Sequence, residues 1–367
     1  MKEFIKPDWN NSNLNISATL AEFLGAPNNN ATLPIIKEEL AKGYKNVVFI
    51  CFDGFGIYPI KQNLNKKDFL RQHIKLTLKS TFPATTANAT TSLITNLLPR
   101  EHGWLGWSLY FEEINKNVDI YLHSDSITGE SVDFTYPIKD NTDCYFNKAN
   151  TEYNITPMTP SYVQTNNPNA IQILNLDHLC ESIRDVCNKE GKQFVYAYHP
   201  EPDATMHEYG VSSQQAKDVI QQINNKMEEL FTSLENTLFI ITADHGQIDI
   251  KGYIEFYKDA ELNSMLVTPP FLDARTPAFK IKPGKEQQFV TQFTKKYGKD
   301  FKLFKSQELI EQGHFGDKGE YGYLTGDYVA IGTYTHKQFL ATANSTKYKG
   351  HHTSLTEEME VPLIILK

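Results

Sequence analysis

The chain has 367 residues, of which 40% are hydrophobic and 22% charged, and its formal net charge is −8. This length is enough for one large domain with an insertion or for two domains, and the composition is typical of soluble globular proteins. The negative charge argues against sequence-independent binding to nucleic acid or to an anionic membrane surface, and no apolar run is long enough to span a bilayer.

The first strong pattern in the chain is NVVFICF (46–52), a continuous run of β-branched and aromatic residues. Such a run predicts a parallel strand that is buried on both faces. After Pro83, small and apolar residues recur with helical spacing, which predicts a helix that Pro99 ends. Residues 108–192 are rich in aromatic and polar residues, and we expect them to form surface structure around the entrance to a functional site.

Two further strands are predicted at FVYAY (194–198) and TLFIIT (237–242), and a fourth at VPLIILK (361–367). From Ser212 onward, apolar residues recur at intervals of three and four, which predicts an amphipathic helix. Strands that alternate with helices indicate an α/β fold with a mainly parallel sheet.

Residues 276–316 contain a strand, a turn, a helix, a second strand and a short helix in quick succession. This pattern predicts a small α+β cap inserted into the main domain. The main domain would then comprise residues 1–275 and 317–367.

Candidate metal ligands stand where the predicted strands end. Because ligands of open α/β sheets bind beyond the carboxyl ends of the strands, these residues are expected to share one rim of the sheet. The six candidates are Asp53, Asp203, His207, Asp244, His245 and His352.

Oxygen and nitrogen ligands without thiolates suit a hydrolytic Zn²⁺ or Mn²⁺ site better than a structural zinc. Six ligands are too many for one catalytic ion that must keep an open position. They suffice for two ions about 4 Å apart, an arrangement that stabilises the attacking and leaving oxygens of a phosphoryl transfer.

Each candidate also has a purely structural interpretation. Asp53 could be an ordinary turn residue after a strand, and the spacing of Asp203 and His207 would also suit a simple pair on one helical face. Either His351 or His352 could be only packed or solvated. The coincidence of four motifs at strand boundaries favours a site, whereas the remaining histidines are interpreted as structural: His73, His123, His178 and His336.

The motifs FDGFG, TFPATTANATTSLITNLLPREHG, EPDATMH, TADHG and GHHTSLTEEM occur in the order found in the alkaline phosphatase superfamily. From about residue 46 onward the chain resembles its type I phosphodiesterase/nucleotide pyrophosphatase branch. The resemblance implies an alkaline-phosphatase-like three-layer sandwich with a mainly parallel central sheet. It also implies that Asp203, His207 and His352 hold one divalent ion, and that Asp53, Asp244 and His245 hold the other.

The same resemblance implies that Thr86 is the nucleophile, because SLIT and PREHG set the register and leave Thr85 one place early. A threonine hydroxyl needs activation, and Thr86 stands at the predicted start of a helix, where backbone N–H groups favour an alkoxide and a phosphate. In-line attack would form a phosphothreonine that water then hydrolyses. The alternative for Thr86 is capping of that helix.

The residues around the nucleophile differ from the family pattern. The family has an asparagine that donates to a phosphate oxygen where this chain has Trp107, and Asn88 is a candidate substitute. Trp104, Trp107 and Tyr110 could form an aromatic wall for a flat group, or they could belong to the core.

These observations predict a two-metal phosphodiesterase of nucleotide pyrophosphatase type that acts on a small phosphate ester, with zinc favoured and manganese as the alternative. A phosphomonoesterase and a non-catalytic metal-binding relative stay as competing interpretations. A sulfatase is disfavoured because no modifiable cysteine or serine in the required motif lies near residue 86. The start of the chain lacks the apolar core of a secretory signal, and four cysteines without CxxC spacing predict reduced thiols and a cytoplasmic location.

Overall fold

The computed structural model describes residues 4–139, 143–163 and 165–367. The strands, in chain order, are β1 Asn46–Phe52, β2 Ile74–Lys79, β3 Ser108–Phe111, β4 Lys116–Asp119, β5 Ser124–Asp125, β6 Tyr153–Thr159, β7 Ile171–Gln172, β8 Lys192–His199, β9 Thr237–Thr242, β10 Ile248–Asp249, β11 Gly252–Ile254, β12 Phe271–Leu272, β13 Pro277–Phe279, β14 Phe301–Lys305, β15 Tyr328–Gly332, β16 Lys337–Phe339, β17 Gly350–His351 and β18 Glu360–Leu366. The α-helices are α1 Leu14–Phe23, α2 Pro34–Leu40, α3 Ile57–Asn63, α4 Phe69–Gln72, α5 Thr86–Thr95, α6 Pro99–His102, α7 Leu176–Cys187, α8 Asp203–Tyr209, α9 Gln214–Thr232, α10 Ala260–Asn263, α11 Glu286–Tyr297, α12 Ser306–Glu311 and α13 Thr356–Met359.

The central sheet has seven strands in the order β2-β18-β9-β1-β8-β6-β7. Strands β9, β1, β8, β6 and β7 pair in parallel, whereas β18 is antiparallel to both of its neighbours. Every residue of β1 and β9 is buried, as the continuous apolar runs predicted. These strands share one apolar cluster with buried residues of α1, α7 and α9. The prediction of an α/β fold with a mainly parallel sheet is therefore confirmed.

A second seven-stranded sheet has the order β14-β15-β13-β12-β3-β4-β5, and each pair in it is antiparallel. Its strands come from distant parts of the chain. Strands β3, β4 and β5 precede most strands of the central sheet in sequence, whereas β12 to β15 follow all of them except β18. The segment 276–316 contributes β13, β14, α11 and α12 to this region. The division into a core and an inserted cap, like the three-layer arrangement, stays a prediction.

The predicted helix after Pro83 ends earlier than expected. It begins at Thr86 and stops at Asn96, which adopts a left-handed conformation with φ of 59°. Asparagine tolerates this conformation and commonly closes helices in this way. Pro99 then begins a new short helix, α6, at a position where its missing N–H costs nothing.

The four cysteines are buried, and none of them forms a disulfide bond in the described ranges. No helix within the described ranges combines the length and apolar character needed to cross a bilayer. The cytoplasmic location stays a prediction.

Candidate metal centre and active site

The parallel pairing of β1 with β8 and β9 brings the ends of these three strands to one edge of the sheet. Asp53 directly follows β1, and its backbone N–H donates to the carbonyl oxygen of His199 at 2.9 Å. Asp203 begins α8, and its N–H donates to the carbonyl oxygen of Asp53 at 3.1 Å. Asp244 and His245 follow β9. The backbone therefore holds the loops after neighbouring strands against each other.

The six predicted ligands lie together at this edge. One potential ligand atom from each of Asp53, Asp244 and His245 lies within 4.8 Å of the other two, which corresponds to the second predicted ion site. Asp203 and His352 form a similar group with His245. His207 is one helical turn beyond Asp203, with its Nε2 3.1 Å from the Asp203 Oδ2.

His351 also belongs to the cluster, although the sequence left His351 and His352 undecided. One ring nitrogen from each of His207, His351 and His352 lies within 4.8 Å of the other two. His351 is buried, and its Nδ1 has no hydrogen-bond partner within the described part of the chain. The four histidines interpreted as structural belong to none of these groups among the described residues.

Backbone carbonyl groups orient the three predicted histidine ligands. The Nδ1 of His207 lies 2.8 Å from the carbonyl oxygen of Gly350. The Nδ1 of His245 lies 3.0 Å from that of Gly246, and the Nδ1 of His352 lies 2.7 Å from that of Ala84. Because a carbonyl oxygen can only accept, each Nδ1 carries a hydrogen, so in the neutral ring Nε2 is the nitrogen that offers its lone pair. This tautomer is the one that binds metals through Nε2.

The buried carboxylates have perturbed acidities. Burial, followed by the negative charges of Asp244 and Asp203, raises the pKa of Asp53 well above its ordinary value. Burial also raises the pKa of Asp244. For Asp203, burial acts in the same direction, but the combined effects of His207, His245 and the Gln247 hydrogen bond outweigh it and lower the pKa. The Asp244 Oδ2 is buried without a hydrogen-bond partner in the described structure. Converging buried carboxylates with an unsatisfied oxygen fit a bound cation.

Neighbouring side chains hold the carboxylates in place. The hydroxyl of Tyr198 donates to the Oδ2 of Asp53. The side-chain amide of Gln247 donates to the Oδ1 of Asp203 at 2.5 Å. Hydrogen bonds of this kind orient metal ligands, and the sequence analysis identified neither donor.

The start of α5 separates the roles of two adjacent threonines. The Thr85 side chain accepts a hydrogen bond from the backbone N–H of Asn88 at 3.5 Å and caps the helix. The Thr86 Oγ1 lies 3.2 Å from the Nε2 of His245 and 3.4 Å from the Oδ2 of Asp53. Thr85 therefore supplies the cap considered for Thr86, and the Thr86 hydroxyl faces a predicted ion site.

The predicted substrate contacts have different surroundings. The Asn88 amide nitrogen donates to the backbone oxygens of Phe82 and Pro83 at 2.8 and 3.1 Å, so Asn88 braces the turn before α5. Its side chain is fully buried, which does not support donation to a substrate phosphate. Trp107 is 39% exposed, whereas Trp104 and Tyr110 are buried in an apolar cluster. Of the three predicted wall residues, only Trp107 lines the cavity described next.

A cavity of about 630 Å³ opens beside the Thr86 hydroxyl. Its lining includes the predicted ligands Asp53, Asp203, His207 and His352 together with several aromatic residues. Asp273 also lines it, and burial raises the pKa of this carboxyl to about 7. Asp273 was not predicted from the sequence, because it follows the two-residue strand β12, which is too short to show a hydrophobic pattern.

Comparison with known proteins gives consistent results. The family model described as "Type I phosphodiesterase / nucleotide pyrophosphatase" matches residues 47–354. Ectonucleotide pyrophosphatase/phosphodiesterase family member 7 of Mus musculus is 32% identical over 80 residues, and the same protein of Rattus norvegicus matches equally. That match spans 19% of this chain and only 18% of each of these relatives.

Solved structures match over a much larger part of the chain. Murine ectonucleotide pyrophosphatase/phosphodiesterase 5 has a TM-score of 0.63 at 16% identity, with 86% of this chain and 87% of that chain covered. An inactive threonine-to-alanine variant of that protein was solved in complex with AMP and has a TM-score of 0.61. Phosphonoacetate hydrolase from Sinorhizobium meliloti 1021 has a TM-score of 0.61 at 12% identity, with 87% of this chain and 89% of that chain covered. At these identities the structural likeness shows a shared fold.

Proposed function

Because this chain belongs to the type I phosphodiesterase/nucleotide pyrophosphatase family, whose members are phosphoester hydrolases, we propose that it is a two-metal phosphodiesterase acting through a phosphothreonine at Thr86. The observation that carries the proposal is the position of the Thr86 hydroxyl. It lies 3.2 Å from the His245 Nε2 and 3.4 Å from the Asp53 Oδ2, while Thr85 caps the helix in its place.

Two sets of residues would hold the ions. Asp53, Asp244 and His245 would bind the ion beside Thr86, and Asp203, His207 and His352 the other. Nδ1–H groups held by backbone carbonyls, which leave Nε2 for a metal, and an Asp244 Oδ2 that accepts no hydrogen bond suit a hydrolytic Zn²⁺ site, with Mn²⁺ as the alternative. When bound, the pair of ions would favour the alkoxide of the nucleophile and stabilise negative charge on the phosphoryl oxygens.

The protein itself would supply the nucleophile, the N–H groups that stabilise negative charge, and the side chains that orient the metal ligands. The Thr86 Oγ1 loses its proton and forms a bond to phosphorus while the ester oxygen opposite departs and takes up a proton. The phosphothreonine keeps the second ester arm, and water then hydrolyses it to release the phosphomonoester. The N-terminal N–H groups of α5 favour the negative charge that develops there. Tyr198 and Gln247 keep Asp53 and Asp203 in the positions that ion binding requires.

The test compares bis(4-nitrophenyl) phosphate with 4-nitrophenyl phosphate after the protein has been loaded with zinc or with manganese. We expect two equivalents of bound metal, faster turnover of the diester, and, after acid quenching, a peptide in which Thr86 carries a 4-nitrophenylphosphoryl group, because the second ester arm stays on phosphorus. Faster turnover of the monoester would favour the phosphomonoesterase. Two metal equivalents without turnover of either ester would favour the non-catalytic relative.

A further inference from the structure

The residues that line the cavity next to Thr86 indicate which group the substrate carries on its second, non-reacting ester oxygen. Resting on the proposed function, we infer that this cavity selects a phosphodiester whose second ester arm is flat, uncharged and largely apolar, and that it disfavours an arm that carries an additional phosphate.

The first observation is the absence of cationic side chains. None of the cavity-lining residues that the structure describes is a lysine or an arginine. Proteins that bind polyanionic phosphate groups use lysine and arginine for this purpose, because these side chains combine positive charge with hydrogen-bond donors. An additional phosphate on the substrate would find no such partner here.

The second observation is the presence of two carboxylates that are not among the six predicted ligands. Asp119 and Asp273 both line the cavity. Asp119 ends β4, where it pairs across the sheet with Ser108 of β3, the residue next to Trp107. A carboxylate beside the arm would repel an anionic substituent, and the low-dielectric walls of a cleft strengthen this repulsion.

The third observation is an apolar rim. Trp107, Leu122 and Tyr162 line the cavity while 39%, 61% and 61% of their surfaces stay exposed. Exposed large apolar residues that gather at the opening of a cleft mark a binding surface more often than isolated ones do. A flat apolar group lying on Trp107 would remove this surface from water.

A chain of contacts connects this wall with the nucleophile. The ring of Trp107 lies 6.1 Å from that of Tyr121, whose hydroxyl is 2.6 Å from the Thr90 Oγ1. The Thr90 Oγ1 in turn contacts the backbone oxygen of Thr86 at 2.6 Å. An arm held on Trp107 therefore has a defined position relative to Thr86, which is what orientation for in-line attack requires.

A matched pair of esters tests the charge preference. The 4-nitrophenyl ester of thymidine 5′-monophosphate and the same ester with an added 3′-phosphate share the scissile bond, the leaving group and the base. We expect kcat/KM to be at least about tenfold lower for the second ester at low ionic strength, with the gap narrowing as salt is added. The variant Asp119→Lys should narrow the gap further, because it replaces the repelling charge with an attracting one.

A second pair tests the flat arm. Trp107→Ala should lower kcat/KM for 4-nitrophenyl phenyl phosphate by about tenfold, which is typical for the loss of one aromatic stacking contact. It should have little effect on 4-nitrophenyl methyl phosphate, and Trp107→Phe should restore part of the loss. Leu174→Ala is the matched control, because Leu174 is 82% exposed and does not line the cavity.

Equal kcat/KM for both thymidine esters, or a preference for the one with two phosphates, would overturn the inference. So would an equal loss on the phenyl and methyl esters in Trp107→Ala, because that result indicates damage to the site as a whole. Hydrolysis of none of the four esters by the metal-loaded protein would refute the proposed function itself.

Discussion

Replacing each of the two threonines at the start of α5 by alanine should separate catalysis from stability. Thr85→Ala removes the helix cap, which accepts a long hydrogen bond of 3.5 Å from Asn88. We expect a loss of about 1 kcal/mol of stability, seen as a decrease in Tm of about 2 °C, while most of the activity remains. Thr86→Ala removes only contacts of 3.2 to 3.5 Å, so its effect on stability should stay within about 0.5 kcal/mol. Its activity should fall on the order of 10⁴-fold or more, because the nucleophile is gone.

The assay measures kcat/KM on bis(4-nitrophenyl) phosphate, the thermal unfolding temperature and the bound metal for each variant. Thr86→Ser serves as the conservative control, since it keeps a hydroxyl at the same place and should retain part of the activity. Full activity in Thr86→Ala would refute the assignment of the nucleophile. Loss of activity in Thr85→Ala alone would show that the register is one residue off.

Three further variants test the support of the site and the core. Tyr198→Phe removes the hydroxyl that donates to the Asp53 carboxylate, so it should weaken metal binding 10- to 100-fold in a chelator competition. Tyr196→Phe, on the same strand, is the control and should leave metal binding unchanged. Unchanged affinity in Tyr198→Phe would rule out its orienting role. In the metal-free protein, burial raises the pKa of Asp273 from 3.8 to about 7. The folded state therefore binds a proton on the Asp273 carboxyl more tightly than the unfolded chain does. The protonated carboxyl contributes its full share to the free energy of unfolding below pH 4, and this share is lost as the pH rises to 7. Asp273→Asn should therefore stabilise the metal-free protein at pH 8 by on the order of 4 kcal/mol and leave it unchanged at pH 4, and equal Tm shifts at both pH values would contradict this. Arg275 and Glu358 form a fully buried ion pair of 2.6 Å, so Arg275→Met should lower the free energy of unfolding in urea by about 3–5 kcal/mol. The double variant with Glu358→Gln should recover part of that loss, because glutamine removes the unpaired charge and keeps an oxygen for the N–H groups of Ser354 and Leu355, and an additive loss would contradict the pairing.

Four strands of the central sheet, β1, β8, β9 and β18, and the ligands after the first three were predictable because each signal is local, whereas β2, β6 and β7 were not predicted. A run such as NVVFICF identifies a buried strand by itself, and a ligand that follows it needs no knowledge of distant residues. The parallel pairing of β1 with β8 and β9 then brings Asp53, Asp203 and Asp244 together without further information.

The supporting contacts were not predictable in this way. Tyr198 lies in an aromatic run that serves equally well as core, and its partner Asp53 is 145 residues away in sequence. The buried Arg275 pairs with Glu358 across 83 residues. The second sheet combines short strands from distant segments, and no periodic pattern of two or three residues can indicate their partners.

The position of β18 between β2 and β9 has a consequence for how the protein reaches its native state. During synthesis, the segment that includes β1, β2, β8 and β9 leaves the ribosome before residues 360–366 exist. Until then β9 has an open hydrogen-bonding edge and β2 has no partner strand. Open edges of this kind recruit strands from other chains, so the nascent polypeptide is exposed to aggregation for as long as β18 is missing. Protection by chaperones at this stage would matter more for the yield of this protein than for one whose sheet closes in chain order.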